Sequence, residues 1–130
     1  MTESNPLSRF EGERVISLET YRRNGQPVRT PVWFLRENGL LYVYTADDTG
    51  KVKRLRRNVK VRVAPSHFRG KPKADYIDAQ AHIETKPDFV DEYHRKIYDR
   101  YGWQATLTRL FNRFSRSKAH DVIIVIRPTI

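Results

Sequence analysis

The stretch PVRTPVWFLRENGLLYVYTADDTGKVKRLRRNVK, residues 27–60, carries the strongest local structure signals of the chain. Side chains alternate in character along residues 28–35, which predicts a strand with one buried face. Asn38-Gly39 supplies the positive φ that a tight hairpin needs. The aromatic and aliphatic run at residues 40–45 predicts a second strand, and the basic segment 52–58 predicts a helical turn. We therefore expect strand, turn, strand and cationic helix in immediate succession.

The junction between the second strand and the basic helix carries a hydroxyl residue, a glycine and a lysine, Thr49-Gly50-Lys51. Backbone N–H groups at a helix start point outward, and the helix dipole favours negative charge there. We predict that this junction holds the phosphate of a ligand lying along the preceding strands. Asp47 and Asp48, just before it, are expected to supply the N-cap and the first-turn charge of the helix.

Alternation and turn signals predict the remaining elements. A strand at residues 14–22 should pair with the next one through the Asn24-Gly25 turn. Pro31 removes a hydrogen-bond donor from its strand, which predicts an edge or a bulge beside a binding site. Further strands are expected at residues 59–65, 74–84 and 120–127, the last buried on both faces, with amphipathic helices at 87–101 and 103–114.

Six strands with flanking helices predict a mainly β protein, a small closed or half-closed β-barrel, because closure removes the exposed edges of so many short strands. The 130 residues suit one domain. We expect residues 1–12 to be a flexible polar arm and residues 13–130 to form the barrel. The arm lacks the apolar region of a secretory signal, no run is long enough to span a membrane, and cysteine is absent, so a cytoplasmic protein is expected.

The charge balance predicts an anionic partner. Lysine and arginine number 25 against 15 acidic residues, a net charge of +10. Nucleic acid, an acidic membrane surface and a small polyanionic ligand are each compatible with such a charge.

No constellation of catalytic residues or metal ligands is present in the sequence. The four histidines lie far apart and lack metal-ligand spacing. The segment 45–52 is not a phosphate-binding P-loop, because Thr45 stands where the first glycine is required and Val52 where the hydroxyl is required. If the protein is an enzyme, a cofactor is expected to supply the difficult step.

Nucleic-acid binding is the rival interpretation. A basic barrel with aromatic side chains resembles the logic of single-strand binders, which combine a cationic groove with stacking platforms. The same aromatic residues lie within alternating strands and are as readily core residues. The candidates are Trp33, Tyr42, Tyr44, Phe68 and Tyr76.

The segment ISLETYRRNGQPVRTPVWFLRENGLLYVYTADDTGKVKRLRRNVKVRVAP resembles the pyridoxamine-5′-phosphate-oxidase-like split-β-barrel proteins. It is most similar to the branch that uses the deazaflavin coenzyme F420. The resemblance extends from Arg14 to Arg127 and is most specific in three motifs: the x-Gly-x-Pro hairpin, the strand Thr-Pro-Val-Trp-Phe, and Tyr-Thr-(x)₃-Thr-Gly-Lys-(x)₃-Leu-Arg. The terminal strand ending in Ile-Arg-Pro is also similar.

This resemblance implies a six-stranded, FMN-binding-like split barrel that forms a homodimer, with the cofactor in a groove between the two subunits. Strand residues beside the first hairpin would contact the ring and its side chain, and the loop before the basic helix would bind the phosphate. The first group is Thr30, Pro31, Val32 and Trp33, and the second is Thr45, Thr49, Gly50 and Lys51.

The resemblance further implies an oxidoreductase that transfers a hydride between F420 and an organic small molecule. FMN is the alternative cofactor, although the family commonly has Ser-Arg-Lys where this chain has Thr49-Gly50-Lys51. The F420 tail is a longer polyanion than a flavin monophosphate, and Arg54 with its basic neighbours could follow it. A cofactor-binding protein without turnover is a third interpretation.

Overall fold

The computed structural model describes residues 6–102 and 120–129. In this part of the chain lie seven strands, two α-helices and a short 3-10 turn at Ser8–Phe10. The strands are β1 (Val15–Tyr21), β2 (Pro27–Trp33), β3 (Leu35–Glu37), β4 (Leu40–Ala46), β5 (Lys60–Pro65), β6 (Ile77–Glu84) and β7 (Asp121–Pro128), and the helices are α1 (Gly50–Arg57) and α2 (Pro87–Tyr101).

The strands form one antiparallel sheet in the order β2-β1-β5-β6-β7-β4-β3. Its two edge strands, β2 and β3, are consecutive in the chain and are separated only by Phe34. A single residue cannot span a flat sheet of seven strands, so the sheet must curl until its edges meet. The result is the predicted half-closed barrel, and β2 is the edge strand that Pro31 predicted.

Phe34 accounts for the difference between the six predicted strands and the seven observed. Residues 28–35 were expected to form one strand that pairs with the next, but β2 pairs with β1 and β3 pairs with β4. The buried Phe34 separates these pairings, and its N–H donates a hydrogen bond to the Tyr101 hydroxyl at 2.9 Å. That hydroxyl lies 2.7 Å from the carbonyl oxygens of Phe34 and of Arg14. The end of α2 thus fixes the seam between the two edges of the sheet.

The core lies on both faces of β7, as its β-branched sequence predicted. Val122, Ile124 and Ile126 face the barrel interior, whereas Ile123 and Val125 face α2. All five are buried. Helix α1 covers the barrel interior with Val52 and Leu55, which belong to the same apolar cluster.

Other local predictions are confirmed. Asn38 and Gly39 both have positive φ, 55° and 77°, which is the conformation of a two-residue hairpin turn. Helix α2 begins at Pro87 and ends before Gly102, and its apolar stripe packs inward with Tyr93, Ile97 and Tyr101 buried.

The N-terminal arm is shorter than predicted. Leu7 and Phe10 are buried in the barrel core, because the 3-10 turn packs them beneath the sheet, so residues 7–10 are part of the domain. The helix predicted at residues 103–114 lies outside the described residues. Neither described helix is long and apolar enough to cross a membrane.

Candidate functional site

The junction between β4 and α1 leaves the start of the helix without a side-chain cap among the described residues. Thr49 occupies the N-cap position with extended backbone angles, and its hydroxyl donates to the Ala46 carbonyl at 3.1 Å instead of accepting from a helix N–H. The first turn carries no acidic residue. The outward-pointing N–H groups of the first turn are therefore available to an anion.

Asp47 does not have the predicted role of helix cap. Its carboxylate accepts a hydrogen bond from the His120 N–H at 3.1 Å, and its own N–H donates to the His120 carbonyl at 2.9 Å. Asp47 thus connects β4 to the chain that enters β7. Asp48 is exposed and lies before the N-cap.

Arg54 lies one turn further along α1, and its side chain extends back toward this junction. Its Nε donates to the hydroxyl of Thr20, a fully buried residue of β1, at 2.6 Å. Its guanidinium lies over Gly50, so that a Cβ atom built on Gly50 would be 2.8 Å from Arg54 Nη1. The structure therefore brings together Thr49, Gly50, Lys51 and Arg54, all of which the sequence singled out.

The two cations of this site are destabilised in their charged forms. Burial lowers the pKa of Lys51, and the neighbouring charge of Arg54 lowers it further. Burial likewise lowers the pKa of Arg54, with additional repulsion from Arg22 and Arg57. None of the ion pairs among residues 6–102 and 120–129 involves Lys51 or Arg54. A bound anion would relieve both the repulsion and the loss of solvation.

The four predicted residues of β2 divide between the two faces of the sheet. Thr30 is opposite Leu18 and Val32 is opposite Ile16, so both share the interior face against which α1 packs. Pro31 and Trp33 point to the other face. On that face Pro31 lies close to Gly70, so that a Cβ atom built on Gly70 would be 3.5 Å from the proline ring. Trp33 stacks on Tyr101, with 4.6 Å between the ring centroids.

Thr45 lies on the interior side of β4. It is opposite Val122, a residue of the interior core, and only 9% of its surface is exposed. Thr45 therefore faces the same side of the sheet as α1. Of the nine predicted residues, seven lie on this side, at the N-cap of α1 or in its first two turns, and Pro31 and Trp33 do not.

Sequence reasoning missed Thr20, which positions Arg54. Nothing in the sequence distinguishes it from the other alternating residues of β1. Its role depends on the packing of α1 across β1, and only the structure supplies that packing.

A second charged cluster lies on the outer face and was also missed. Glu19 is fully buried, and its carboxylate accepts hydrogen bonds from Arg62 at 2.6 Å, from Tyr21 at 2.7 Å and from Arg29 at 2.8 Å. Burial alone would raise the pKa of Glu19, but the hydrogen bonds from these three partners outweigh it and hold the pKa at about 2. The cluster joins β1, β2 and β5 and is structural.

Most of the candidate stacking aromatics are packed within the molecule. Tyr42 stacks on Tyr93 at 4.1 Å and Tyr44 on His94 at 4.2 Å. Tyr76 lies beneath the guanidinium groups of Arg29 and Arg62. Phe68 is the exception, with 76% of its surface exposed. A row of stacking platforms is therefore not formed by the described residues.

A metal site is also not formed in the described part of the chain, where no three histidine or acidic side chains converge.

The charged surface cleft at the far end of α1 is a separate feature. It is lined by Asn58 and Lys60 together with Arg62 and Asp78, whereas Thr49 and Lys51 lie at the opposite helix end.

Comparisons with known proteins agree with this architecture. The model of the pyridoxamine 5′-phosphate oxidase family matches residues 7–129. A comparison with curated proteins finds no match.

Several solved structures share the fold. An F420 reductase superposes with a TM-score of 0.64 at 20% identity, covering 99% of this chain and 97% of that one. The heme storage protein HutZ from Vibrio cholerae gives 0.67 at 13% identity, with coverage of 92% and 84%. An FAD-binding protein from Mesorhizobium loti gives 0.59 at 16% identity, with coverage of 100% and 91%.

At these identities the structural likeness shows the fold, whereas the family is shown by the match along nearly the whole chain. The chain belongs to the pyridoxamine 5′-phosphate oxidase family and has its split-β-barrel fold.

Proposed function

We propose that the protein is an oxidoreductase that binds coenzyme F420, with FMN as the alternative cofactor, and transfers a hydride to or from an organic small molecule. The observation that carries the proposal is the pair of half-buried cations at the start of α1. Lys51 and Arg54 lie beside uncapped helix N–H groups and have no carboxylate partner among the described residues. Such a site is complementary to a phosphate.

The residues present fit the phosphorylated part of either cofactor. Thr30 and Thr45 lie on the face of the sheet against which α1 packs, where their hydroxyls can position the chain that joins phosphate to ring. When bound, the cofactor would supply the hydride chemistry, which no side chain of this protein provides. The protein would supply orientation, exclusion of water and a fixed positive field.

A fold relative and the net charge both support F420 as the first choice. One of the fold relatives is an F420 reductase, and another is an FAD-binding protein. The net charge of +10 favours the ligand with the longer anionic tail. Lys53, Arg56 and Arg57 are exposed on α1 and can follow such a tail away from the phosphate.

We also propose that the protein is a homodimer with the cofactor groove at the subunit interface. The exposed Phe68 and the edge position of β2 support an interface near the predicted ring site. Sedimentation analysis should give twice the mass of one chain. A monomer at concentrations well above the cofactor Kd would contradict this part of the proposal.

Fluorescence titration of the purified protein with F420, FMN and single-stranded DNA tests the proposed cofactor. Saturable binding of F420 that is tighter than that of FMN supports the proposal. Binding of DNA alone would replace it with the nucleic-acid interpretation. Oxidation of reduced F420 by a panel of unsaturated acceptors then separates an enzyme from a cofactor-storage protein, a distinction that matters because one fold relative stores heme.

A matched pair of variants locates the site. Lys51→Ala should weaken F420 binding about 10-fold or more, because a charge-assisted contact to phosphate is lost. Lys86→Ala removes the same charge from an exposed position just before α2 and should change binding much less. Equal effects would show that only net charge matters and that the start of α1 is not the phosphate site.

A further inference from the structure

Gly50 differs from the other glycines of this chain. The sequence contains six, and five of them have positive φ, which explains why glycine is present at those positions. Gly50 does not. It lies at the first position of a helix, where alanine would be accepted by the backbone and would favour the helix more. Backbone conformation therefore gives no reason for a glycine at position 50.

The reason lies in the space above it. A Cβ atom on Gly50 would be 2.8 Å from Nη1, 3.6 Å from Cζ and 3.7 Å from Nη2 of Arg54. All three contacts are with one side chain. Because Gly50 has only a hydrogen in place of a side chain, there is space for the Arg54 guanidinium beside its α-carbon.

That position of Arg54 is electrostatically unfavourable in the free protein. The guanidinium lies back toward the positive end of the helix dipole and close to Lys51, although arginine is better placed at a helix C-terminus. The hydrogen bond from Nε to the buried Thr20 hydroxyl, 2.6 Å long, fixes the side chain there. A cation held in place against repulsion is prepared for an anionic ligand.

We propose that Gly50 is a positioning residue, which acts by leaving space for the Arg54 guanidinium at the first turn of α1, so that Arg54 and Lys51 together hold the phosphate. This inference rests on the proposed function. It makes Arg54 a direct contact of the phosphate, and it makes the affinity for the cofactor depend on the absence of a side chain at position 50.

The test is Gly50→Ala. The added methyl group should displace the guanidinium, because the end of a flexible side chain yields before the backbone does. In the free protein the Arg54 Nε–H signal, protected by Thr20, should shift and exchange faster in NMR spectra. The affinity for F420, or for FMN if that is the cofactor, should fall roughly 10-fold. The thermal midpoint should stay close to that of the wild type, because alanine is well accepted in a helix.

A double-mutant cycle separates this mechanism from a direct effect of the methyl group on the ligand. If Gly50 acts through Arg54, then Gly50→Ala should cause no further loss in an Arg54→Ala background. Arg95→Ala, which removes an exposed charge from α2, is the matched control and should bind nearly as the wild type does.

The outcomes distinguish this inference from the function on which it rests. Wild-type protein that binds neither F420 nor FMN would remove both. Wild-type binding that is unchanged in Gly50→Ala, or an Arg54 signal that does not move, would overturn the role of Gly50 and leave the proposed function standing. Additive losses in the double mutant would also overturn it.

Discussion

Lys51 and Arg54 place two positive charges beside each other where solvent reaches them only in part. Burial lowers the pKa of both groups, and the charge of Arg54 lowers the pKa of Lys51 further. The positive end of the helix dipole adds to the repulsion. Neither residue forms an ion pair within the described segments. The arrangement is unfavourable without a ligand and becomes favourable when an anion is bound, which is the behaviour expected of a binding site.

The lowered pKa of Lys51 gives a pH dependence with a definite sign. Lysine loses its charge as the pH rises through its pKa, so the affinity for F420 should begin to fall at a pH below the ordinary lysine value of 10.5. Titration of cofactor fluorescence against pH checks this. Lys51→Arg, which keeps its charge, should bind with little change over the same range. An identical alkaline loss in that variant would assign the effect to another group.

The contribution of Glu19 to the free energy of unfolding depends on pH. Its folded pKa of about 2 lies below the value of 4.5 expected for an unfolded chain, so its stabilisation is present above pH 4.5 and is lost as the pH falls toward 2. Glu19→Gln should lower the free energy of unfolding by about 2–3 kcal/mol at neutral pH. Denaturant unfolding at several pH values should show the difference between wild type and variant shrinking below pH 4.5. A difference independent of pH would mean that the charge of Glu19 is not what stabilises the cluster.

Among the helices and strands, the features that depend on neighbouring residues were predicted correctly. The strand boundary that depends on distant pairing partners was not. The Asn38-Gly39 turn, the start of α2 at Pro87 and the doubly buried β7 follow from chemistry within a few residues. The division of residues 28–35 into β2 and β3 does not. Alternation continues through Phe34, and only the partners of each half, β1 and β4, reveal the break.

The candidate site shows the same limit. The residues of one loop, Thr49-Gly50-Lys51, could be predicted because they are adjacent in the sequence. Thr20 could not, because it meets Arg54 only through the packing of α1 on β1. The faces of Pro31 and Trp33 follow from alternation, but which face holds the site depends on where α1 packs.

Tyr101 connects α2 to the seam of the sheet, and a variant can measure that connection. Tyr101→Phe removes the hydroxyl that accepts from the Phe34 N–H at 2.9 Å and leaves a buried donor without its partner. The free energy of unfolding should fall by about 1–3 kcal/mol in denaturant titrations. The ring stack on Trp33 should persist, so the near-ultraviolet circular dichroism should change little. A loss below about 0.5 kcal/mol would show that water replaces the hydroxyl.

At the scale of the whole molecule, the net charge of +10 acts on any anionic ligand in addition to the local site. Salt screens this attraction, and a ligand with more charges loses more of it. We therefore expect the affinity for F420 to fall more steeply than that for FMN when the salt concentration rises from about 0.05 M to 0.5 M. Parallel fluorescence titrations check the two slopes. Equal slopes would confine recognition to the phosphate at α1 and exclude a role for the outer basic residues.

The seam at Phe34 has a consequence for changes in chain length. Because side chains alternate along a strand, one residue inserted between Trp33 and Leu35 would reverse the orientation of β3 while its neighbour β4 stays as it is. An insertion at the exposed Asn24-Gly25 turn extends a loop into solvent and disturbs no pairing. A library of single-residue insertions, sorted by yield of folded protein, should therefore tolerate additions at the turn and reject them at the seam.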